Sequence, residues 1–213
     1  MRLIFKYDLQ RDVDNFLKSA HAVNSRKPTK FQRLYEEKYG SPPEADKAAS
    51  FIVEYLEMHS IDMSERLKKI EREWRAIELE ILARMEKMFG MPYPADSITA
   101  YLSSNSRCTY NIGGGYFFVH SESHHPNGII AHELLHFYTW AALHDELEQS
   151  GVTKEQYNNV KESLTELLNI EYADLLHGYH DDGYPQHSQM RAKLRELWSV
   201  TKDVRKTIMA ALN

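Results

Sequence analysis

The sequence predicts an α+β protein that is predominantly helical and contains a small three-stranded sheet. Three observations support this fold class. Apolar residues recur at three- and four-residue intervals through most of residues 8–89, which is the spacing of one helix face. Three short β-prone segments follow between residues 97 and 120, and helical spacing returns from residue 126 onward. Short strands between long helical regions are typical of the α+β class.

The N-terminal region, residues 1–90, is predicted to be helical, and residues 91–213 are predicted to form the core. A single compact domain that contains both is the alternative. Four helices are expected in the first region: Asp8 to about Val23, Thr29–Tyr39, Glu44 to about Met58, and Asp62 to about Phe89. Gly40-Ser41-Pro42-Pro43 separates the second helix from the third. Asp62 and Glu65 have the spacing of a capping box, and Gly90 is a typical helix end.

The segment between residues 97 and 120 is predicted to supply the sheet. Its three candidate strands are Ser97–Ser103, Arg107–Ile112 and Tyr116–His120. Alternation of apolar and polar residues marks the first, and consecutive aromatic and β-branched residues mark the third. Three glycines at 113–115 form the turn before the third strand.

Three helices are predicted after the strands. The first begins at Pro126, which suits a first helical turn, and ends before a connector at Glu146–Val152. Thr153 and Gln156 form a capping box that starts the second, which continues to about Leu176. A loop rich in glycine and proline, His177–Pro185, precedes the third, at about His187–Leu212.

The helix that starts at Pro126 contains His132-Glu133-Leu134-Leu135-His136. A helix advances about 100° per residue, so His132 and His136 lie one turn apart on one face. Both imidazoles can then bind a single ion, with Glu133 placed to take a proton from water on that ion. This is the HExxH pattern of zinc hydrolases.

Two histidines are too few to hold a catalytic zinc ion, which usually has three protein ligands and an open position. The following helix carries two candidates for the third ligand, Glu162 and Glu166, one turn apart in an apolar stretch. Burying a carboxylate without a partner is costly, so at least one of them needs a cation or a hydrogen-bond donor. Cys108 and the other histidines stay open as further candidates.

His132-Glu133-Leu134-Leu135-His136 followed by Glu162-Ser163-Leu164-Thr165-Glu166 resembles the gluzincin metallopeptidases, which include thermolysin-like enzymes and minigluzincins. The resemblance covers about residues 97–170. It implies a zincin-like core, in which the sheet lies next to the HExxH helix and a second helix supplies a ligand. It also implies that Glu162 binds the metal, that Thr165 allows close helix packing, and that Glu166 orients a histidine ligand.

The resemblance further implies zinc-dependent hydrolysis of peptide bonds, with Glu133 as general base and a peptide or protein as substrate. Related enzymes use a downstream tyrosine or histidine to stabilise the oxyanion, and His180, Tyr184 and His187 are the candidates here. The third strand, with Tyr116, Phe117 and Phe118, is expected at the sheet edge, where an extended substrate could add as a further strand. A buried strand is the other interpretation of the same residues.

Two other functions fit the sequence. The chain could be a degenerate zincin scaffold whose helices bind a partner protein, although a structural metal site has no need of Glu133. It could also be a metal-dependent hydrolase that acts on an amide outside peptides. Sequence alone does not separate these from a peptidase.

Composition narrows the class of partner. A net charge of −5 gives no reason to expect nucleic acid. The single cysteine, Cys108, excludes an intramolecular disulfide and a multi-cysteine metal site. The N-terminus lacks a signal-like apolar core, and no apolar run approaches the length of a membrane span. We therefore expect a soluble cytoplasmic protein; the oligomeric state does not follow from the sequence.

Overall fold

The computed structural model describes residues 1–21, 27–40 and 42–212. It shows an α+β protein, mostly helical, with a small four-stranded sheet. The strands are β1 (Arg2–Lys6), β2 (Ser97–Ser103), β3 (Tyr110–Asn111) and β4 (Tyr116–His120). The helices are α1 (Leu9–His21), α2 (Lys30–Tyr39), α3 (Ala45–Met58), α4 (Met63–Arg75), α5 (Glu78–Phe89), α6 (Pro126–Gln149), α7 (Lys154–Leu164), α8 (Glu166–Glu171), α9 (Ser188–Thr201) and α10 (Val204–Leu212). The fold class is confirmed, but the prediction of three strands is wrong.

The additional strand is β1, which pairs in parallel with β2 at the edge of the sheet. The strand order is β1-β2-β4-β3, with β4 parallel to β2 and antiparallel to β3. Burial along β1 alternates, with Leu3 and Phe5 inside and their neighbours outside. This period of two is a strand signal, but five residues are too few to indicate which other strand they join.

The predicted edge position of Tyr116–His120 is wrong. β4 lies inside the sheet, because β2 pairs along one side of it and Tyr110 and Asn111 pair with Phe117 and Tyr116 on the other. The second candidate strand is shorter than its predicted range, 107–112, and this short β3 occupies the edge. Backbone groups of Tyr116 and Phe117 are therefore already paired on both sides.

Several predicted helices are interrupted. The expected helix from Asp62 to Phe89 is divided into α4 and α5 around Ile77, and the expected C-terminal helix is divided into α9 and α10 by Lys202, which has a φ of 49°. The helix after Thr153 stops at Leu164 instead of about Leu176. Periodicity survives such breaks, because an apolar stripe continues in register when two short helices follow one another on the same core.

Several predicted helix ends are confirmed. Asp62 Oδ1 accepts hydrogen bonds from the backbone N–H groups of Ser64 and Glu65 at the start of α4. Gly90 ends α5 in the left-handed conformation, with a φ of 70°. α6 begins at Pro126 and extends to Gln149, which shortens the expected connector. Part of the expected end of α1, Ala22–Val23, and Ser41 of the predicted turn lie outside the described residues.

Contacts along the chain divide it into two compact units. The sheet unit comprises Arg2–Trp74 and Ser97–Pro126, and the site unit comprises Arg75–Asp96 and Asn127–Asn213 together with Met1. The division differs from the predicted boundary after residue 90, since α5 belongs with the C-terminal helices and the strands belong with the N-terminal ones. In the described part of the chain, no helix combines the length and apolar character that crossing a membrane requires.

The sheet unit has an aromatic core formed by α1, α2 and α3. Phe16, Phe31, Tyr35 and Phe51 are buried and their ring centroids lie 5.0–6.4 Å apart. Most of these pairs are edge-to-face, the favoured arrangement for aromatic rings. The cluster joins the first three helices into one core.

A buried carboxyl group connects α1 to the end of β2 in the same unit. Asp12 is fully buried and accepts hydrogen bonds from Ser103 Oγ at 2.7 Å and from Ser104 N at 3.0 Å. Burial raises the pKa of Asp12 to about 6, and the hydrogen bonds from Ser103 and Ser104 only partly oppose that rise. Asp12 therefore stabilises the unit best when it is protonated.

Candidate metal centre

The HExxH segment lies in the first half of α6. Five buried apolar residues within and beside this segment hold the helix in the site unit: Ile130, Leu134, Leu135, Phe137 and Tyr138. The His132 and His136 rings lie one turn apart, with centroids separated by 4.5 Å and planes inclined by 76°. The predicted placement of both imidazoles on one helix face is confirmed.

Glu162 approaches the two histidines from α7. The predicted capping box starts this helix: Gln156 N donates to Thr153 Oγ1 at 3.2 Å and Thr153 N donates to Gln156 Oε1 at 2.8 Å. Glu162 lies just over two turns later, and its Oε2 is 3.7 Å from His136 Nε2. One ligand atom from each of His132, His136 and Glu162 lies within 4.8 Å of the others.

These distances fit a metal ion. Zinc bonds of about 2.0–2.2 Å in tetrahedral geometry place two ligand atoms about 3.4 Å apart. The three ligand atoms here lie within 4.8 Å of one another, so only small side-chain movements would be needed to bind an ion. Within residues 1–21, 27–40 and 42–212, this is the one group of three or more His, Cys, Asp or Glu side chains with such spacing. Neither Glu166 nor Cys108, the alternatives for the third ligand, belongs to it.

Asp181, which no sequence pattern had identified as part of the site, orients His132. His132 Nδ1 is 2.8 Å from Asp181 Oδ2, which leaves Nε2 of that ring for an ion. The hydroxyl of Tyr179 donates to the same carboxylate oxygen at 3.0 Å, and the hydroxyl of Thr165 donates to Oδ1 at 2.9 Å. A carboxylate on the second nitrogen of a histidine ligand is the usual arrangement in metal sites. No local signal marks Asp181, because it lies in an irregular loop.

Hydrogen bonds from Asn169 and Arg191 hold Asp181 in its position in the loop. Asn169 donates to its carbonyl oxygen at 3.0 Å and accepts from its N–H at 2.8 Å. Arg191 on α9 donates to Asp181 Oδ1 at 2.9 Å and also to its carbonyl oxygen. Tyr179 packs against Gly128 in the first turn of α6, so closely that a Cβ there would come within 2.3 Å of the ring.

The prediction that Glu166 orients a histidine is wrong. Glu166 is 2% exposed and pairs with Arg191 at 2.7 Å and with Arg195. The helix break at Thr165 is the physical reason: α7 ends at Leu164 and α8 begins at Glu166, so the two glutamates do not lie on one continuous helix. Thr165 itself is fully buried at the break, as close packing requires.

The three candidates for oxyanion stabilisation differ in their surroundings. The His180 side chain is 66% exposed and lies 3.9 Å from Asp182. Tyr184 packs against the His187 ring, with centroids 5.9 Å apart. His187 Nδ1 is 2.6 Å from Asn159 Oδ1 on α7. Burial, together with the charges of Arg191 and Lys161, lowers the pKa of His187, and the charge of Glu162 only partly opposes this.

The HExxH pattern predicts that Glu133 is a general base, and the environment of this side chain is unusual. It is 7% exposed, and its Oε2 has no hydrogen-bond partner in the described part of the protein. Its pKa is raised to about 7, because burial and the charge of Glu162 raise it more than the charges of His132 and Lys161 lower it. An orphaned, buried carboxylate oxygen beside two imidazoles is the expected state of a base whose partner is a water molecule.

The pKa values of His132 and His136 are shifted in opposite directions. Burial lowers the pKa of His132, but the hydrogen bond to Asp181 and the charges of Glu133, Asp181 and Glu162 outweigh it, so the net pKa is raised. Burial, His132 and Lys161 together hold the pKa of His136 well below its usual value. The surroundings of His132 thus favour a positive charge at this ring, which a bound cation would supply in place of a proton.

The remaining candidate residues lie in the sheet unit. Tyr116, Phe117 and Phe118 form most of β4; Phe117 and Phe118 are buried. Tyr116 stacks edge-on against Tyr101 and Phe118, and the Arg11 guanidinium lies 5.0 Å from the centre of its ring. These contacts explain the three aromatic residues as parts of the sheet, and substrate binding by them stays a prediction.

No protein-family model, curated protein or solved structure matches the chain. The resemblance to gluzincins therefore depends on the HExxH segment and Glu162 alone.

Proposed function

We propose that the protein is a zinc-dependent hydrolase of peptide bonds, with a gluzincin-type centre formed by His132, His136 and Glu162. The observation that carries this proposal is the state of Glu133. Glu133 is buried beside three potential metal ligands and has one oxygen without a hydrogen-bond partner among the described residues. Such burial costs free energy, and a catalytic function explains why the cost is tolerated. A purely structural metal site would not need this carboxylate.

The three ligands suit zinc. Two neutral nitrogens and one carboxylate oxygen are a common zinc set in hydrolases, and three protein ligands leave a position for water. Bound there, zinc would supply Lewis acidity, lowering the pKa of water and polarising the substrate carbonyl. Other divalent ions accept the same ligands, and geometry and availability decide among them.

Glu133 is suited to transfer the proton during hydrolysis. A base works best when its pKa is near the working pH, and burial places that of Glu133 at about 7 in the metal-free protein. It takes a proton from the attacking water and then delivers it to the leaving nitrogen. Burial also keeps bulk water away from this transfer.

Asp181 and His187 have supporting roles. Asp181 fixes the His132 ring so that Nε2 is presented to the ion, as its 2.8 Å bond to Nδ1 requires. His187 contacts Asn159 on the helix that carries Glu162, and of the three predicted donors to the oxyanion we assign this role to His187.

The proposal is tested by metal analysis and a peptide-library cleavage assay. Wild-type protein purified without chelator should contain one zinc ion per chain and cleave peptides, with loss of both on chelation. Glu162→Ala should lose zinc, whereas Glu133→Gln should retain zinc without turnover. Glu155→Ala is the matched control, because Glu155 is an exposed glutamate on the same helix.

The outcomes separate the competing functions. Zinc at full occupancy without cleavage of any peptide would favour a partner-binding scaffold or a hydrolase of another amide. Full zinc occupancy in Glu162→Ala would remove this residue from the ligand set. Full activity in Glu133→Gln would refute the role of the base.

A further inference from the structure

Lys161 on α7 is buried beside the candidate metal centre. It is 4% exposed, although lysine is almost never fully buried unless its charge is paired. Its Nζ lies 2.9 Å from Glu162 Oε1. An apolar residue of similar length could fill the same space without the cost of burying an ammonium group, so the charge needs an explanation.

Lys161 and Glu162 are adjacent in sequence, and an ion pair between adjacent residues is not one that generally stabilises a helix. Adjacent residues on a helix point about 100° apart, and favourable ion pairs occur at separations of three or four residues. To reach Glu162, the side chain of Lys161 bends back toward the next residue of its own helix. The contact therefore adds little to the stability of the helix itself, and its direct effect is on the Glu162 carboxylate.

The two oxygens of Glu162 have different partners. Oε1 forms an ion pair with the Lys161 ammonium group at 2.9 Å, while Oε2 faces His136 Nε2 at 3.7 Å. A carboxylate can bind an ion through one oxygen or through both. If Oε1 stays on Lys161, only Oε2 is available.

We propose that Lys161 is a positioning residue that restricts Glu162 to binding the metal through one oxygen. This rests on the proposed metal centre. With two histidine nitrogens and one carboxylate oxygen, a tetrahedral ion keeps its fourth position for water, which catalytic sites need. A second oxygen from Glu162 would compete for that position.

A lysine that only balanced the charge of Glu162 would have a different signature. The dication itself balances the charge of its ligands, so removing such a lysine would leave the coordination unchanged. Removing a positioning lysine would instead release Oε1 and increase the coordination number. Coordination geometry, measured independently of turnover, thus distinguishes the two roles.

The experiment uses Co²⁺ as the probe, because its visible absorption is intense in four-coordinate sites and weaker at higher coordination. The full chain is freed of metal with a chelator, and Co²⁺ is titrated into wild type, Lys161→Met and Lys154→Met. Lys154→Met is the matched control, since it removes the same charge from an exposed position of α7. Circular dichroism verifies the fold of each variant.

Wild type and Lys154→Met should bind one Co²⁺ per chain with the intense spectrum. Lys161→Met should still bind one Co²⁺ but lose that intensity. An unchanged spectrum in Lys161→Met would overturn the positioning role and leave the metal centre intact. Absence of Co²⁺ binding by wild type would refute the metal centre, and this proposal with it.

A measurement on the wild type alone covers the case in which Lys161→Met does not fold. A crystal structure of the zinc-loaded protein should show Glu162 Oε2 about 2.0–2.2 Å from the ion and Oε1 still bonded to Lys161. Two zinc–oxygen bonds from Glu162, with Lys161 displaced, would overturn the proposal.

Discussion

Replacing Asp181 by asparagine tests the least predictable part of the centre. The side chain keeps its shape, but it loses its charge and one of its two acceptor oxygens becomes a donor. The carboxylate now accepts hydrogen bonds from His132, Tyr179, Thr165 and Arg191 at 2.8–3.0 Å. Asparagine cannot satisfy all four groups, so the His132 ring loses the contact that fixes its orientation.

The expected loss can be estimated from this geometry. Removing the partner of a histidine ligand typically weakens metal binding 10- to 100-fold, which is about 1.4–2.7 kcal/mol. The metal-free fold should also be affected. Burial raises the pKa of Asp181, but three partners outweigh it and lower the pKa to about 2. His132 acts through its hydrogen bond and charge, Thr165 through its hydrogen bond, and Arg191 through its charge. A shift of about two units corresponds to about 2–3 kcal/mol.

The sign of the pH dependence follows from that depressed pKa. Asp181 contributes stability above its unfolded-state pKa near 4, and the contribution is lost as the pH falls from about 4 to about 2. In Asp181→Asn this contribution should be absent at every pH. Urea denaturation of the metal-free protein measures it.

Zinc affinity is measured by competition with a chromophoric chelator at neutral pH. Asp182→Asn is the control, because Asp182 is the next residue and its side chain is 92% exposed. We expect wild-type affinity for Asp182→Asn and a 10- to 100-fold loss for Asp181→Asn. Equal affinities for wild type and a folded Asp181→Asn would refute the argument that Asp181 orients His132.

Three further predictions address other parts of the molecule. Glu166→Gln should lower the free energy of unfolding by about 2–3 kcal/mol, because it weakens the buried ion pair with Arg191. It should reduce zinc affinity less than Asp181→Asn does. Equal losses of zinc affinity would support the predicted role of Glu166 in orienting a histidine ligand. Gly128→Ala should destabilise the site unit by about 1–3 kcal/mol, because its Cβ would displace Tyr179, and thermal unfolding without change would contradict that contact. The pKa of Asp12 is raised in the folded state, so its stabilisation is complete below pH 4 and declines by about 3 kcal/mol as the pH rises through 6. The free energy of unfolding, measured in urea at pH 4.5 and 7.5, should therefore differ less in Asp12→Asn than in wild type. An equal difference in both proteins would show that another group is responsible.

Local patterns were enough to predict much of the candidate site. The separation of His132 and His136 by four residues places them on one face in any helix, whatever surrounds it. The capping box at Thr153 and the apolar stripe behind it indicate α7, and with it the position of Glu162. The bounds of β2 and β4 followed in the same way from alternation and from β-prone side chains.

The partners of these residues were decided by the tertiary structure. The resemblance to gluzincins assigned Glu166 to a histidine. Instead the helix breaks at Thr165, Glu166 pairs with Arg191 and Arg195, and Asp181 lies beside His132. Likewise β4 is interior because β3, a segment of two residues, pairs with it. Which side chains share a helix face can be predicted from sequence alone, since it depends on residues a few positions apart. Which groups meet across the fold depends on how loops and helix breaks bring distant segments together, and no local spacing records it.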